Sequence, residues 1–285
     1  MQFGVFPEEY RSFERAKVVI LPVPYDGTST WIKGADRGPA ALLAASQALE
    51  MYDIETDSEV YRQGIYTDAP LGDFGPPEEM VAAVKKRVAE LLSAGKFVVI
   101  IGGEHTVSLG GIFAYAERFS DLSVLQLDAH ADMREVLRGS RFNHGCVMAR
   151  VREVCPCVQV GIRSLDISEK PSVFDHDVFF AQDIAGADES WMAEAVNRLS
   201  ANVYVTVDLD VFDPAVVPST GTPEPGGLQW YPVLKLLRHV VQTRRLVGFD
   251  IVELCPQPYN HAPEFLAAKL LYKVLSYKFH QDSSV

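Results

Sequence analysis

No apolar run in the 285-residue sequence approaches the ~20 residues that a membrane-spanning helix needs, and stretches such as 97–101 are short, so no bilayer is expected as a partner. Cysteine is scarce. The four residues Cys146, Cys155, Cys157 and Cys255 do not make a disulfide framework for a chain of this length, and Cys155-Pro156-Cys157 lacks the two-residue spacer of zinc knuckles and redox pairs. Buried free thiols in a reducing compartment are expected instead. Positive charge is also in deficit, with 26 Lys and Arg against 38 Asp and Glu and a formal net charge of -12. A surface of that sign repels phosphate backbones and anionic headgroups, which excludes nucleic acid as an expected partner. Residues 1–15 mix acids, bases and aromatics with no basic stretch leading into an apolar one; they do not read as a secretory signal, and a cytoplasmic location is expected. Finally, no Gly-x-Gly-x-x-Gly or Walker sequence opens a helix, so no nucleotide cofactor is implied.

What is present is the composition of an ordinary globular protein, 48% hydrophobic and 22% charged. Short apolar runs at 18–21, 97–101, 124–127, 158–162, 178–181, 203–209 and 246–252 are rich in β-branched residues and read as buried strands. Between them, 39–51, 77–94, 106–119, 189–200, 232–242 and 263–277 carry helical spacing. At 77–79, Pro-Glu-Glu puts a proline and two acids where a helix start tolerates the one and attracts the others. The alternation predicts a three-layer α/β/α fold around a mostly parallel central sheet. No linker, charge block or repeat divides the chain, so residues 1–285 are expected to form one catalytic domain, with 214–227 as a long functional loop.

In such a sheet ligands bind beyond the carboxyl ends of the strands, and here those positions are filled by acids and histidines. The run 97–101 leads into Gly102-Gly103-Glu104-His105, 124–127 into Asp128-Ala129-His130-Ala131-Asp132, 203–207 into Asp208-Leu209-Asp210, and 246–252 into Glu253. In an extended segment residues i and i+2 share a face, so Asp128 is expected to aim with His130, and Asp208 with Asp210. Any one cluster alone reads as well as a turn or a helix cap. Their coincidence at one sheet edge is the signal. Clustered carboxylates in a low-dielectric cleft repel one another unless cations lie among them. A donor set of carboxylates with two imidazoles favours Mn²⁺ over zinc, and so many ligands suit two ions sharing bridging carboxylates.

These segments, with Asn143-His144-Gly145, Val207 through Pro214, Gly221-Thr222-Pro223-Glu224-Pro225-Gly226-Gly227, Asp250-Ile251-Val252-Glu253 and the early Pro24-Tyr25-Asp26-Gly27 through Gly34 and Gly38-Pro39-Ala40, resemble the ureohydrolases, the arginase and agmatinase family, over nearly the whole chain. The resemblance implies a binuclear manganese site with two Mn²⁺ per subunit. His105, Asp128, Asp132 and Asp208 would hold one ion, and Asp128, His130, Asp208 and Asp210 the other. The ions would make hydroxide available near neutral pH for attack on a guanidinium carbon. Asp132 would be the first proton carrier, His144 the shuttle, and Glu253 the acceptor that fixes the guanidinium plane. Glu104 reads as orienting His105, while Asp213 and Asp26 read as turn and loop residues.

The implied reaction is release of urea and an amine from a small guanidino substrate, with agmatine to putrescine first. The segment 133–142 lacks the amide- and hydroxyl-rich stretch of arginases, yet its arginines would suit an anionic end such as that of guanidinobutyrate. Arginase and guanidinobutyrase activities are therefore the near alternatives. A binuclear-metal phosphoesterase and a non-catalytic relative are the distant ones. A homo-oligomer, trimer or hexamer, is implied by the resemblance alone.

Overall fold

In the computed structural model, which describes residues 1–174 and 177–281, the expected apolar runs become strands of one sheet. The strands are β1 (Val18–Val23), β2 (Ile65–Thr67), β3 (Phe97–Gly102), β4 (Leu122–Leu127), β5 (Cys157–Ile162), β6 (Asp177–Phe180), β7 (Asn202–Asp208) and β8 (Arg245–Val252). Their order is β2-β1-β3-β8-β7-β4-β5-β6, and every pairing is parallel. A parallel sheet puts all carboxyl ends at one edge, and this order places β3, β8, β7 and β4 side by side in its centre. Those are the four strands whose ends carry the acids and histidines.

Alternation along the strands explains the two apolar layers. Val203, Val205 and Val207 of β7, with Val99, Ile101, Phe249 and Ile251, face the layer closed by α1 (Gly38–Ser46), α7 (Ser190–Asn197), α8 (Trp230–Thr243) and α9 (Ala262–Gln281). Val98 and Ile100 of β3 and Tyr204 of β7 face the other, closed by α2 (Pro77–Ser93), α3 (Val107–Arg118) and α4 (Val147–Val151). On α8 the buried positions Val233, Leu236, Leu237, Val240 and Val241 recur at helical spacing and form the stripe that meets the sheet.

The sequence reading missed the edge strand β2, which is too short to show alternation, and the brief helices α4, α5 (Lys170–Phe174) and α6 (Ala181–Ile184). It extended the first helix to 51, whereas α1 stops at Ser46 and the following residues close single turns. It also kept Ala181 and Leu209 in strands. Ala181 opens α6 and Leu209 opens a 3₁₀ turn. The four cysteines are free and buried, as expected. No described helix is long and apolar enough to cross a membrane.

Gly103, just past β3, ties three strand ends together. Its N–H donates to the Val23 carbonyl at 2.9 Å, its own carbonyl accepts from the Glu253 N–H at 2.8 Å, and the next N–H, of Glu104, donates to the Tyr25 carbonyl. A Cβ on Gly103 would lie 1.9 Å from that Tyr25 oxygen, a backbone clash that no rotamer relieves. Gly103→Ala is therefore expected to cost at least about 2 kcal/mol of stability in chemical denaturation; a wild-type midpoint would contradict the packing described.

Candidate metal centre and substrate cavity

The side chains beyond β3, β4 and β7 converge as expected, although partly by another route. Asp128 follows β4 directly, and its Oδ1 accepts from the His130 N–H at 2.6 Å. Asp208 ends β7 and caps the 3₁₀ turn Leu209–Val211, its Oδ1 accepting from the Asp210 N–H at 2.9 Å. The pairs Asp128/His130 and Asp208/Asp210 are thus brought together by side-chain-capped turns rather than by strand alternation, because the extended backbone has already ended. Asp210 Oδ1 also accepts from the Ala129 N–H at 2.9 Å, which joins the β7 and β4 ends.

Two overlapping groups result, His105 with Asp128 and Asp132, and Asp128 with His130 and Asp210; within each, ligand atoms lie within 4.8 Å of one another. His105 Nδ1 is 3.1 Å from Asp128 Oδ2, 3.1 Å from Asp132 Oδ2 and 3.4 Å from Asp208 Oδ2. None of the three is aligned to accept a hydrogen bond from it, and Nδ1 is buried without a partner. Donor atoms that surround a point without bonding one another fit a cation at that point. In the second group His130 Nδ1 lies 2.8 Å from Asp210 Oδ2.

The electrostatics carry the same message. Burial, with the charges of Asp210 and Asp128, holds Asp208 well above the usual carboxylate range, and burial with the Asp128 charge pushes Asp132 up to about 7. Glu253 is raised well above its ordinary value by burial and by the Glu104 charge. Burial alone would depress the two imidazoles, yet the surrounding carboxylates override it, raising His105 well above and His130 to about 12. With protein atoms alone, protons on His105 and His130 take the place of missing positive charge.

Asp132 and Glu253 both sit in the left-handed backbone region, at φ 53 and 65, which non-glycine residues adopt only when their surroundings hold them there. The Asp132 carbonyl accepts from the N–H groups of Met148 and Ala149 at the start of α4. The Glu253 side chain accepts from the His105 N–H through Oε1 at 2.8 Å. Its other oxygen lies beside Gly221.

A cavity of about 440 Å³ opens over these groups, lined by His105, His130, Asp132, His144, Asp208 and Glu253 at its inner end and by Thr30, Arg134, Arg138, Leu165, Asp166 and Glu169 outward. The His144 ring lines it with Nε2 buried and unpartnered. Burial, reinforced by the charges of His130 and His105, lowers this imidazole to about 4, so it is neutral at physiological pH.

A sequence model of the arginase family matches residues 16–276. The chain belongs to the arginase family. It is 40% identical to an N(1)-aminopropylagmatine ureohydrolase of Synechocystis sp., with 95% of this chain and 92% of that protein covered. It is 37% identical to the protein of the same name from Thermus thermophilus, over 96% and 94%. The solved structure of an agmatine ureohydrolase from Thermoplasma volcanium superposes with a TM-score of 0.90 at 30% identity, over 96% and 94% of the two chains. The chain is accordingly an agmatinase-like ureohydrolase, a hydrolase acting on linear amidines.

In this ureohydrolase Glu104 does not orient the His105 ring, contrary to the sequence expectation. Its carboxylate accepts from the Thr28 hydroxyl at 2.9 Å and the Thr106 N–H at 2.7 Å, and Thr28 Oγ1 in turn accepts from the His144 N–H at 3.0 Å. Glu104 thereby anchors the loop that presents His144. Asp213 and Asp26 are loop residues as expected: Asp213 accepts from the N–H groups of Ala215, Gly226 and Gly227, and Asp26 from those of Gly34 and Ala35. Arg163 went unnoticed in the sequence. Its guanidinium donates to the carbonyls of Asp210, Phe212, Glu224 and Pro225, pinning the 210–225 segment to the site. Gln126, Gln159 and Thr206 were missed as well, and Asp250 entered only as part of the motif Asp250-Ile251-Val252-Glu253, although four polar residues inside otherwise apolar strands are a readable signal.

Without cations the raised carboxylates set the sign of the pH dependence. A group whose folded pKa is raised stabilises at low pH, and that contribution disappears as pH climbs through the folded value. Asp132, Asp208 and Glu253 all act in this sense. Chelated protein should therefore melt a few degrees lower at pH 8.5 than at pH 6, and added Mn²⁺ should remove the deficit; thermal scans across that range check it, and a flat or opposite slope would refute the charge assignment.

Proposed function

We propose that this ureohydrolase cleaves an agmatine-type guanidino compound to urea and a polyamine, with Mn²⁺ as its metal. His105, Asp128, Asp132 and Asp208 would hold one ion and Asp128, His130, Asp208 and Asp210 the other, Asp128 and Asp208 being shared. Bound there, two dications supply the acidification of water that makes hydroxide available near neutral pH. The protein's own groups do the rest. Glu253, with Oε1 tied to the His105 N–H, offers its other oxygen to the planar guanidinium as a charge-assisted acceptor and fixes the plane of the carbon under attack. As water adds, the bond from that carbon to the alkyl-bearing nitrogen breaks and this nitrogen needs a proton. Asp132 takes the proton first, and His144, neutral and with a free Nε2 in the cavity, carries it to the departing amine. The observation that carries this reading is the meeting of three features in one cavity: the ligand cluster, the anchored Glu253 and the unpartnered His144.

The outer cavity favours a cationic far end. Glu169 is already engaged, accepting from the N–H groups of Met133 and Asp166. Asp166 is held ionised by the Ser168 hydroxyl and N–H, and faces the cavity as an anion. Arg134 lies against two acids, Glu169 and Asp166, which outnumber it and leave that wall with an excess of carboxylate, and Arg141 lies against Glu153. We place N1-aminopropylagmatine first and agmatine itself second, because two relatives at 40% and 37% identity carry the former name. The guanidinobutyrate reading rests on Arg138, which lines the cavity and donates to the Thr30 carbonyl.

With Mn²⁺-loaded protein, urea release is expected to show kcat/KM for aminopropylagmatine and agmatine at least about 100-fold above arginine and guanidinobutyrate. A preference for either of the latter would overturn the assignment. His144→Asn should lower kcat by roughly 100-fold or more with little change in KM, whereas Asp166→Asn should raise KM for the cationic substrates about 10-fold and leave kcat near wild type.

A further inference from the structure

Two residues before Asp128 and Asp208, a row of polar side chains crosses the sheet. Gln159 of β5 pairs with Gln126 of β4, Gln126 with Thr206 of β7, and Thr206 with Asp250 of β8. All four are fully buried. Such a row is costly unless each member is satisfied and each does something apolar residues would not.

With Asp250 ionised, as its hydroxyl donors favour against the upward pull of burial, the chain of bonds on its β7/β8 side has one direction. Asp250 is a buried carboxylate whose described partners are hydroxyls: Tyr204 donates to Oδ2 at 2.8 Å and Thr206 to Oδ1 at 2.7 Å. A hydroxyl has a single proton. Since Thr206 gives its proton to the bond with Asp250, Oγ1 is an acceptor both for the Ser108 hydroxyl, 3.3 Å away, and toward His105 Nε2, 3.0 Å away. The proton between them must then belong to Nε2. That leaves Nδ1, the nitrogen turned toward Asp128, Asp132 and Asp208, as the ring's lone pair in a neutral imidazole.

We propose that Thr206 and Asp250 are positioning residues that fix the Nε2–H tautomer of His105 and aim its Nδ1 lone pair at the metal group. The negative charge at Asp250, relayed through the Thr206 hydroxyl, also makes Nδ1 the stronger donor. Neither residue touches substrate. Tyr204 satisfies the second carboxylate oxygen from below and keeps Asp250 from turning away. The inference rests on the metal-binding reading above, and concerns only the ion held by His105.

The test is a calorimetric titration of metal-depleted protein with Mn²⁺, run on wild type, Thr206→Val, Thr206→Ser and Asp250→Asn. Valine keeps the shape of threonine and removes the hydroxyl; serine keeps the hydroxyl; the amide introduced by Asp250→Asn offers a donor where one hydroxyl needs an acceptor. Wild type is expected to bind two ions. Thr206→Val and Asp250→Asn should weaken one of the two by roughly 10–100-fold while the other stays within a few-fold, and Thr206→Ser should restore the wild-type isotherm. Wild-type affinity for both ions in Thr206→Val would overturn the proposal, as would equal weakening of both ions accompanied by a lowered melting temperature, the mark of a merely structural role. Should Asp250→Asn fail to fold, the valine and serine pair decides. Absence of manganese uptake by wild type would instead overturn the metal reading itself, a result distinct from intact uptake in the valine variant.

Discussion

Four aspartates directed at one buried volume set the terms for everything around them. Asp128, Asp132, Asp208 and Asp210 are all buried, and like charges at such separations in a low dielectric cannot all remain ionised unaided. The raised carboxylates and the strongly basic His105 and His130 are that conflict expressed in protein atoms alone. The proposed pair of dications would resolve it. The stability of the sheet edge and the chemistry performed there are therefore two consequences of one charge balance.

The fold holds this unfavourable cluster by giving each member a second hold. Asp128 and Asp208 cap turns, Asp210 accepts from Ala129, Glu253 accepts from the His105 N–H, and the Asp132 carbonyl caps α4. Positive φ at Asp132 and Glu253 is tolerated because those anchors over-determine the backbone. Beneath them the buried row from Gln159 to Asp250 meets the cluster from the core side: Gln126 donates to Asp128 Oδ2 at 2.6 Å, and Thr206 faces His105. The cluster is thus gripped from two sides, by loop backbone above and by strand side chains below.

The cavity has a corresponding division. Its inner end would, in the proposed reaction, handle a flat cation and a proton through Glu253 and Asp132, which follow strand ends, and through His144, which a loop anchored by Thr28 and Glu104 presents. Its outer wall comes from the segments around 134–138 and 164–169, which no strand fixes and which are free to vary with the far end of the substrate. A shared reaction with changing specificity is the expected result of placing the chemistry on the sheet and selectivity on loops.

Much of this was legible in the residues themselves. Short β-branched runs alternating with helical periods pack as a parallel sheet covered by helices, and the clusters at His105, Asp128–Asp132, Asp208–Asp210 and Glu253 announce themselves through their coincidence at successive strand ends. What the sequence could not carry was adjacency. Nothing along the chain says that β7 and β8 insert between β3 and β4, and without that order the four ends would not meet. For the same reason nothing in the sequence ties Thr206 to Asp250, and Glu104 reads as a partner of its neighbour His105 rather than of Thr28. Local pattern is written in periods of two and 3.6 residues, which the backbone imposes on every segment separately; which segment lies beside which is settled only when all of them compete to bury their apolar faces at once.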